Sequence, residues 1–297
     1  MDIDTLLKTQ KNIFENHLKY LSDNILIFSP PKLKESIQYS LLAGGKRLRP
    51  ILTYSTNQAL GGNEQDSLNV GAAIEFIHTY SLIHDDLPAM DNDDYRRGRL
   101  TNHKVFGDAV AILAGDALLT DAFYILTNKS FYKSIDSDTI LDITNFIAKS
   151  SGSSGMVGGQ IYDILYENSN ISSETIQTIH IHKTAMLITA AVYSGARIAT
   201  NDPYILKKIE EYGLNIGLAF QIVDDILDIT SSLEDMGKKS GSDSKNNKST
   251  YPKIFGLDKS KEIATILIEN AINSISFLGG RSLFLKEIAL YILKRVN

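Results

Sequence analysis

Only six prolines interrupt this chain of 297 residues, at 30, 31, 50, 88, 203 and 252, and the long stretches between them are free to coil. Within 70–86, Val70, Ala73, Ile74, Ile77 and Ser81 recur at the spacing of one buried helix face. The stretch 108–127 is apolar nearly all round, which predicts a helix at the centre of the molecule. Residues 139–150, 173–199, 204–229, 258–277 and 283–296 also carry helical period. No Asn-Gly or Asp-Gly pair sits between alternating segments, so no hairpin is expected. No linker or fixed-period repeat divides the chain. The expected fold is all-α, one domain over 1–297.

A chain of this length buries roughly 75% of its unfolded surface and needs no covalent staple. It has no cysteine, which removes thiolate zinc sites and cysteine nucleophiles. Against 30 Lys+Arg stand 35 Asp+Glu, a net charge of −5, so no basic field invites nucleic acid. The first residues, Met1-Asp2-Ile3-Asp4, open no secretory signal. No apolar run reaches the ~18 residues of a membrane span, so no stable membrane association is expected, and the expected location is the cytoplasm. Residues 150–159 are rich in glycine and serine, as at a hinge or a close approach of helix backbones. Residues 231–250 hold only Leu233 and Met236 as large apolar groups and read as a mobile loop.

Two acidic clusters stand out. Asp85-Asp86-Leu87-Pro88-Ala89-Met90-Asp91 follows the 70–86 stretch, and Pro88 predicts that the helix ends near Asp86. Carboxylates there face the negative end of a helix dipole, which a cation would offset. Arg96, Arg97 and Arg99 follow at once, a combination that suits a metal-bound polyanion such as diphosphate. In the second cluster, Asp224-Asp225-Ile226-Leu227-Asp228, the positions Gly217, Gln221, Asp224 and Asp228 share one helix face. Hard oxygen donors without His or Cys suit Mg²⁺. Either cluster alone reads equally well as a solvated acidic face. Two of them, each beside apolar helix, are harder to dismiss, and facing helices would bring their carboxylates into one cavity. Other motifs fail: Gly44-Gly45-Lys46-Arg47 lacks the rest of a P-loop, and no Gly-x-Ser-x-Gly elbow occurs.

The residues in question resemble a known family, the trans-type polyprenyl (isoprenyl) diphosphate synthases. The likeness runs through Gly44-Gly45-Lys46-Arg47-Leu48-Arg49-Pro50, EFIHTYSLIHDDLPAMDNDDYRRGRLTNH (75–103), Gly115-Asp116 and Gly155-Met156-Val157-Gly158-Gly159-Gln160. It continues through His182-Lys183-Thr184, GLAFQIVDDILD (217–228), Gly237-Lys238 and Asn247-Lys248-Ser249-Thr250-Tyr251-Pro252, in matching order and spacing. The four-residue spacer of the first motif resembles the bacterial farnesyl and plant-type geranylgeranyl branches. The resemblance implies a bundle of ten or more mostly antiparallel helices around a deep central cavity, and a homodimer. It implies Mg²⁺-dependent head-to-tail condensation of isopentenyl diphosphate with dimethylallyl and geranyl diphosphates. A terpene cyclase or a non-catalytic synthase subunit are the rival readings. The basic groups for a second diphosphate argue against the first, and the intact aspartates against the second.

The resemblance also assigns roles. Asp85, Asp86, Asp91 and Asp224 look like ligands of Mg²⁺ (three ions per site, with Mn²⁺ as a substitute), while Asp225 and Asp228 act through water. Arg96, Lys183 and Lys238 resemble the cations on the allylic diphosphate. Lys46, Arg49, His78 and Arg97 resemble the isopentenyl diphosphate site. Thr184 and Gln221 line the reacting carbons, and Lys238 and Lys248 lie on a loop that closes over the phosphates. Tyr80, with Ser81, lies about 7.5 Å below Asp85 at 1.5 Å per helical residue. A bulky aromatic there implies that growth stops at farnesyl (C15) rather than geranylgeranyl (C20) diphosphate.

Overall fold

The computed structural model describes residues 3–167, 169, 171–230 and 249–296. In chain order its helices are α1 (Ile3–Ile25), α2 (Pro31–Leu41), α3 (Leu48–Leu60), α4 (Glu64–Asp85), α5 (Asn102–Phe106), α6 (Asp108–Thr127) and α7 (Ser137–Ser151). There follow α8 (Met156–Leu165), α9 (Ser173–His180), α10 (Met186–Ala199), α11 (Pro203–Thr230), α12 (Tyr251–Phe255), α13 (Leu257–Ser274) and α14 (Leu283–Lys294). A π-helical turn, Ile181–Ala185, joins α9 to α10.

The centre of the bundle is α4, packed against α3, α6 and α10. Its start is well specified. Asn63 Oδ1 accepts from the Asp66 N–H at 3.1 Å, and Glu64 and Asp66 favour the positive end of the dipole. The Asp66 carboxylate also accepts the main-chain N–H groups of Lys133 and Ser134. The period read over 70–86 marks one face, yet Ala72, Glu75 and Phe76 between those positions are buried too. Neighbours cover this helix on more than one side.

The expectation that 108–127 would be central is overturned. In α6, Ala111, Ala114, Leu118 and Ala122 are buried and Ile112 opens on an internal cavity, but Leu113 is 58% and Tyr124 51% exposed on the far side. This helix lies at the periphery with one apolar side uncovered. Hydropathy registers a face that avoids water and does not say what covers it. By length and composition α6 is the one described helix that could cross a bilayer. It carries Asp108, Asp116 and Asp121, however, and its small residues pack against α4.

The absence of hairpins is corrected in one small place. Tyr95–Arg96 and Arg99–Leu100 pair antiparallel. Arg97 (φ 54°) and Gly98 (φ 74°) make the turn between them, both left-handed as a two-residue hairpin turn requires. Arg in place of Asn hid the signal.

Candidate active site

At its C-terminal end α4 delivers Asp85 and is capped by Asp86. The chain then folds back until the Asp91 N–H donates to the Asp85 carbonyl at 2.9 Å, which brings Asp91 beside Asp85. Asp224, on α11, joins them across a cavity of about 1010 Å³, and all three line it. Burial, the largest cause, pushes the Asp85 carboxyl up to about 6. Lys183 and Arg96 pull it down, while Asp91 and Asp86 push it up.

The remaining acidic candidates face elsewhere. Asp86 is buried and accepts both Arg96 Nε (2.7 and 2.8 Å) and Arg96 Nη2 (2.6 Å). Asp225 is buried behind the wall. It accepts Gln221 Nε2 at 3.1 Å and the Tyr251 N–H at 3.0 Å, and lies 3.5 Å from His180 Nε2. Asp228, one turn beyond Asp224, is half-buried and outside the cavity lining. Lys238 and Lys248 lie outside the described residues.

The basic half is built on the turn before α3. Gly45 has φ +126°, and a Cβ there would lie 2.6 Å from Arg97 Cζ, so glycine serves both the backbone and the side chain packed on it. Arg97 Nη1 donates to the Gly44 carbonyl. Lys46, Arg49, His78 and Arg97 all line the cavity. Arg49 Nε is buried with no partner. Burial first, then Arg49, Arg97, Arg96 and Arg47, hold His78 well below the usual imidazole range, so it is neutral at pH 7. Arg47, from the same basic run, departs from this group. It is buried, and its Nη1 donates to Glu75 Oε1 at 2.6 Å.

The opposite wall comes from α8, the π turn and α11. Gly159 lets α8 touch the turn: a Cβ there would meet Lys183 N at 2.2 Å. This is the close backbone approach that the small residues of 150–159 indicate. Lys183 Nζ pairs with Asp163 at 2.6 Å. Thr184 Oγ1 donates to Gln221 Oε1 at 2.8 Å, and Gln221 passes the orientation on to Asp225. Tyr80 and Ser81, about one turn before Asp85 on α4, also line the cavity. Sequence reading missed Arg295, whose Nη2 lies 2.8 Å from Asp224 Oδ1, brought there from the end of the last helix. No local pattern marks such a contact.

The donor set fits Mg²⁺. Carboxylates alone face the acidic end, and burial makes the Asp85 charge unfavourable until a cation arrives. Among the described residues no three His, Cys, Asp or Glu side chains enclose a metal by themselves. Asp85 and Asp91 on one rim and Asp224 on the other leave coordination positions for phosphate oxygens and water, which suits Mg²⁺.

The chain is similar to known proteins along most of its length. Residues 30–276 match the polyprenyl synthetase family. The chain is 44% identical to the farnesyl diphosphate synthase of Micrococcus luteus, over 98% of this chain and 99% of that one. It is 45% identical to the geranylgeranyl diphosphate synthase of Cyanophora paradoxa, over 99% and 96%. It superposes on the geranyltransferase of Helicobacter pylori complexed with magnesium and isoprenyl diphosphate with a TM-score of 0.80, at 31% identity and 96% coverage of each chain. The fold, the paired aspartate motifs and these relatives agree: the chain belongs to the polyprenyl synthetase family and is a prenyltransferase.

Proposed function

We propose that this enzyme extends dimethylallyl diphosphate with isopentenyl diphosphate, through geranyl to (E,E)-farnesyl diphosphate. The observation that carries the reading is one cavity with aspartates on two facing rims, a separate basic pocket beside them, and Tyr80 beneath Asp85. Asp85, Asp91 and Asp224 would hold Mg²⁺, three ions per site in this reading, with Asp86, Asp225 and Asp228 supporting them from behind or through water. Mg²⁺ held there would supply Lewis-acid stabilisation of the negative charge that the allylic diphosphate gains when its C–O bond breaks. Arg96 and Lys183, already placed on the lining by Asp86 and Asp163, add positive charge on the same side.

Lys46, Arg49 and Arg97 take the diphosphate of isopentenyl diphosphate, and neutral His78 donates a hydrogen bond to it. Held there, the alkene attacks the allylic carbon as diphosphate leaves with the C–O electron pair, and the proton then lost from the isopentenyl unit passes to that departed diphosphate; the positioning is itself a large part of the acceleration. Thr184 and Gln221 present fixed dipoles to the reacting carbons. Met156, Val157, Ile161 and Phe220 keep water from the cationic chain. Tyr80 ends the space for the growing chain. Lys238 and Lys248 are proposed to close over the phosphates.

The test incubates purified protein with Mg²⁺, labelled isopentenyl diphosphate and dimethylallyl diphosphate, then dephosphorylates and sizes the products. A C15 alcohol that disappears on chelation supports the reading. A C20 product, as in the Cyanophora relative's name, keeps the chemistry and removes Tyr80 as the floor. No condensation by folded protein overturns it. We also propose a homodimer, with the uncovered side of α6 against a second copy. A monomer by light scattering would sink that assignment.

A further inference from the structure

The cavity floor has a support outside the acid and basic motifs. His84 sits one helical turn above Tyr80 on the same face of α4. Its ring meets the Tyr80 ring edge-on, with centroids 5.6 Å apart and planes at 85°. Its Nε2 donates to the main-chain oxygen of Ile112 on α6 at 3.0 Å. The room it occupies exists because residue 115 is glycine. A Cβ at 115 would lie 2.1 Å from His84 Nε2 and 2.4 Å from Cδ2. Tyr80, His84 and Ile112 all line the cavity. One imidazole therefore ties the aromatic floor of α4 to the backbone of the neighbouring helix.

We infer that His84, seated in the notch left by Gly115, is a positioning residue for product length: it fixes the Tyr80 ring across the cavity floor. This rests on Tyr80 being that floor, as proposed above. A packing role alone would hold α4 to α6 and leave product length unchanged. An edge-on aromatic contact biases a ring between orientations by roughly 2- to 10-fold, enough to change where elongation stops without abolishing it.

The experiment sizes the products of Tyr80→Ala, His84→Ala, Gly115→Ala and the His84→Ala/Gly115→Ala double variant, with folding checked by circular dichroism. The readout is the ratio of the next longer product to the parent product, which does not depend on overall rate. In His84→Ala the ratio should rise by about 2- to 10-fold. Gly115→Ala should raise it similarly, because the new methyl expels the imidazole. The double variant should match His84→Ala, because nothing is left to expel. If Gly115→Ala does not fold, His84→Ala beside Tyr80→Ala still decides. Lengthening in Tyr80→Ala with an unchanged ratio in His84→Ala overturns the inference and leaves the Tyr80 floor standing. Lengthening in His84→Ala alone overturns the claim that it acts through Tyr80. No lengthening in either removes the floor assignment itself, and this inference with it.

Discussion

The two halves of the cavity meet their charges differently. Around the acidic half the protein's own cations already pair with carboxylates, one on the rim and two behind it: Arg295 on Asp224, Arg96 on Asp86 and Lys183 on Asp163. In the basic half the nearest acid, Glu75, is taken by Arg47, and the Arg49 Nε is left buried with no partner. Leaving a buried charged donor unmet is costly, so the basic pocket is strained toward an anion before one arrives. On the acidic side Asp224 is held by Arg295 and has to exchange that partner to load. One half is preformed and the other is poised.

Four changes would break or sharpen this contrast. The largest effect is expected at the acidic rim: Asp85→Ala should lower kcat by ~10²–10³, and excess Mg²⁺ should not restore it. Rates that recover at high Mg²⁺ would make Asp85 a minor contributor to binding. In the basic half, Arg49→Ala should raise the KM for isopentenyl diphosphate about 10- to 100-fold, the value of one charge-assisted contact, with a smaller change in kcat. An equal fall in kcat would place Arg49 at the breaking bond instead.

The third change concerns pH. Asp85 has its pKa raised from 3.8 to about 6 in the folded state, so its neutral form favours folding. That contribution is present below about pH 4 and is lost as pH rises through about 6. Free of ligand, Asp85→Asn should be more stable than the parent at pH 7 by on the order of 3 kcal/mol and no different at pH 3.5. Matching denaturation curves at both pH values would contradict the assigned burial cost. The same proton must leave for a cation to bind, so the Mg²⁺ needed for half-maximal rate should climb below pH 6.

The smallest effect is at Arg295. Its pair with Asp224 is partly exposed, so Arg295→Gln should change stability by under about 1 kcal/mol. It should also lower the Mg²⁺ requirement a few-fold, which a titration of activity against Mg²⁺ would read. An unchanged requirement would mean that Asp224 is not held back by its partner.

Much of this was legible in the sequence. The helix ends near Asp86 because Pro88 forbids its continuation, and Lys46, Arg49, His78, Arg97, Thr184 and Gln221 do line one cavity. Spacing gives the face of a helix and the types of residue on it. It does not give what stands opposite. For that reason α6 read as central, since apolar residues facing out and facing in have the same hydropathy. The same gap hid the turn of Asp86 toward Arg96 and of Asp225 toward Tyr251, because adjacent aspartates on a helix point about 100° apart and share a motif without sharing a target. Arg47 looks like Arg49 in sequence and differs only through Glu75, 28 residues on.

The π turn at Ile181–Ala185 has a further meaning as a change of phase. A wider turn accommodates an extra residue, and the helix before it is rotated relative to the helix after it. His180 can thus stack on Tyr251 at the back of the wall while Lys183 and Thr184, adjacent in the chain, both open on the cavity. Deleting one residue there would restore a regular helix and return the two sides to a common phase. Either the anchor at His180 or the pair at 183–184 would then face the wrong way. The irregularity lets a single rod of chain serve two surfaces whose angular settings no regular helix reconciles.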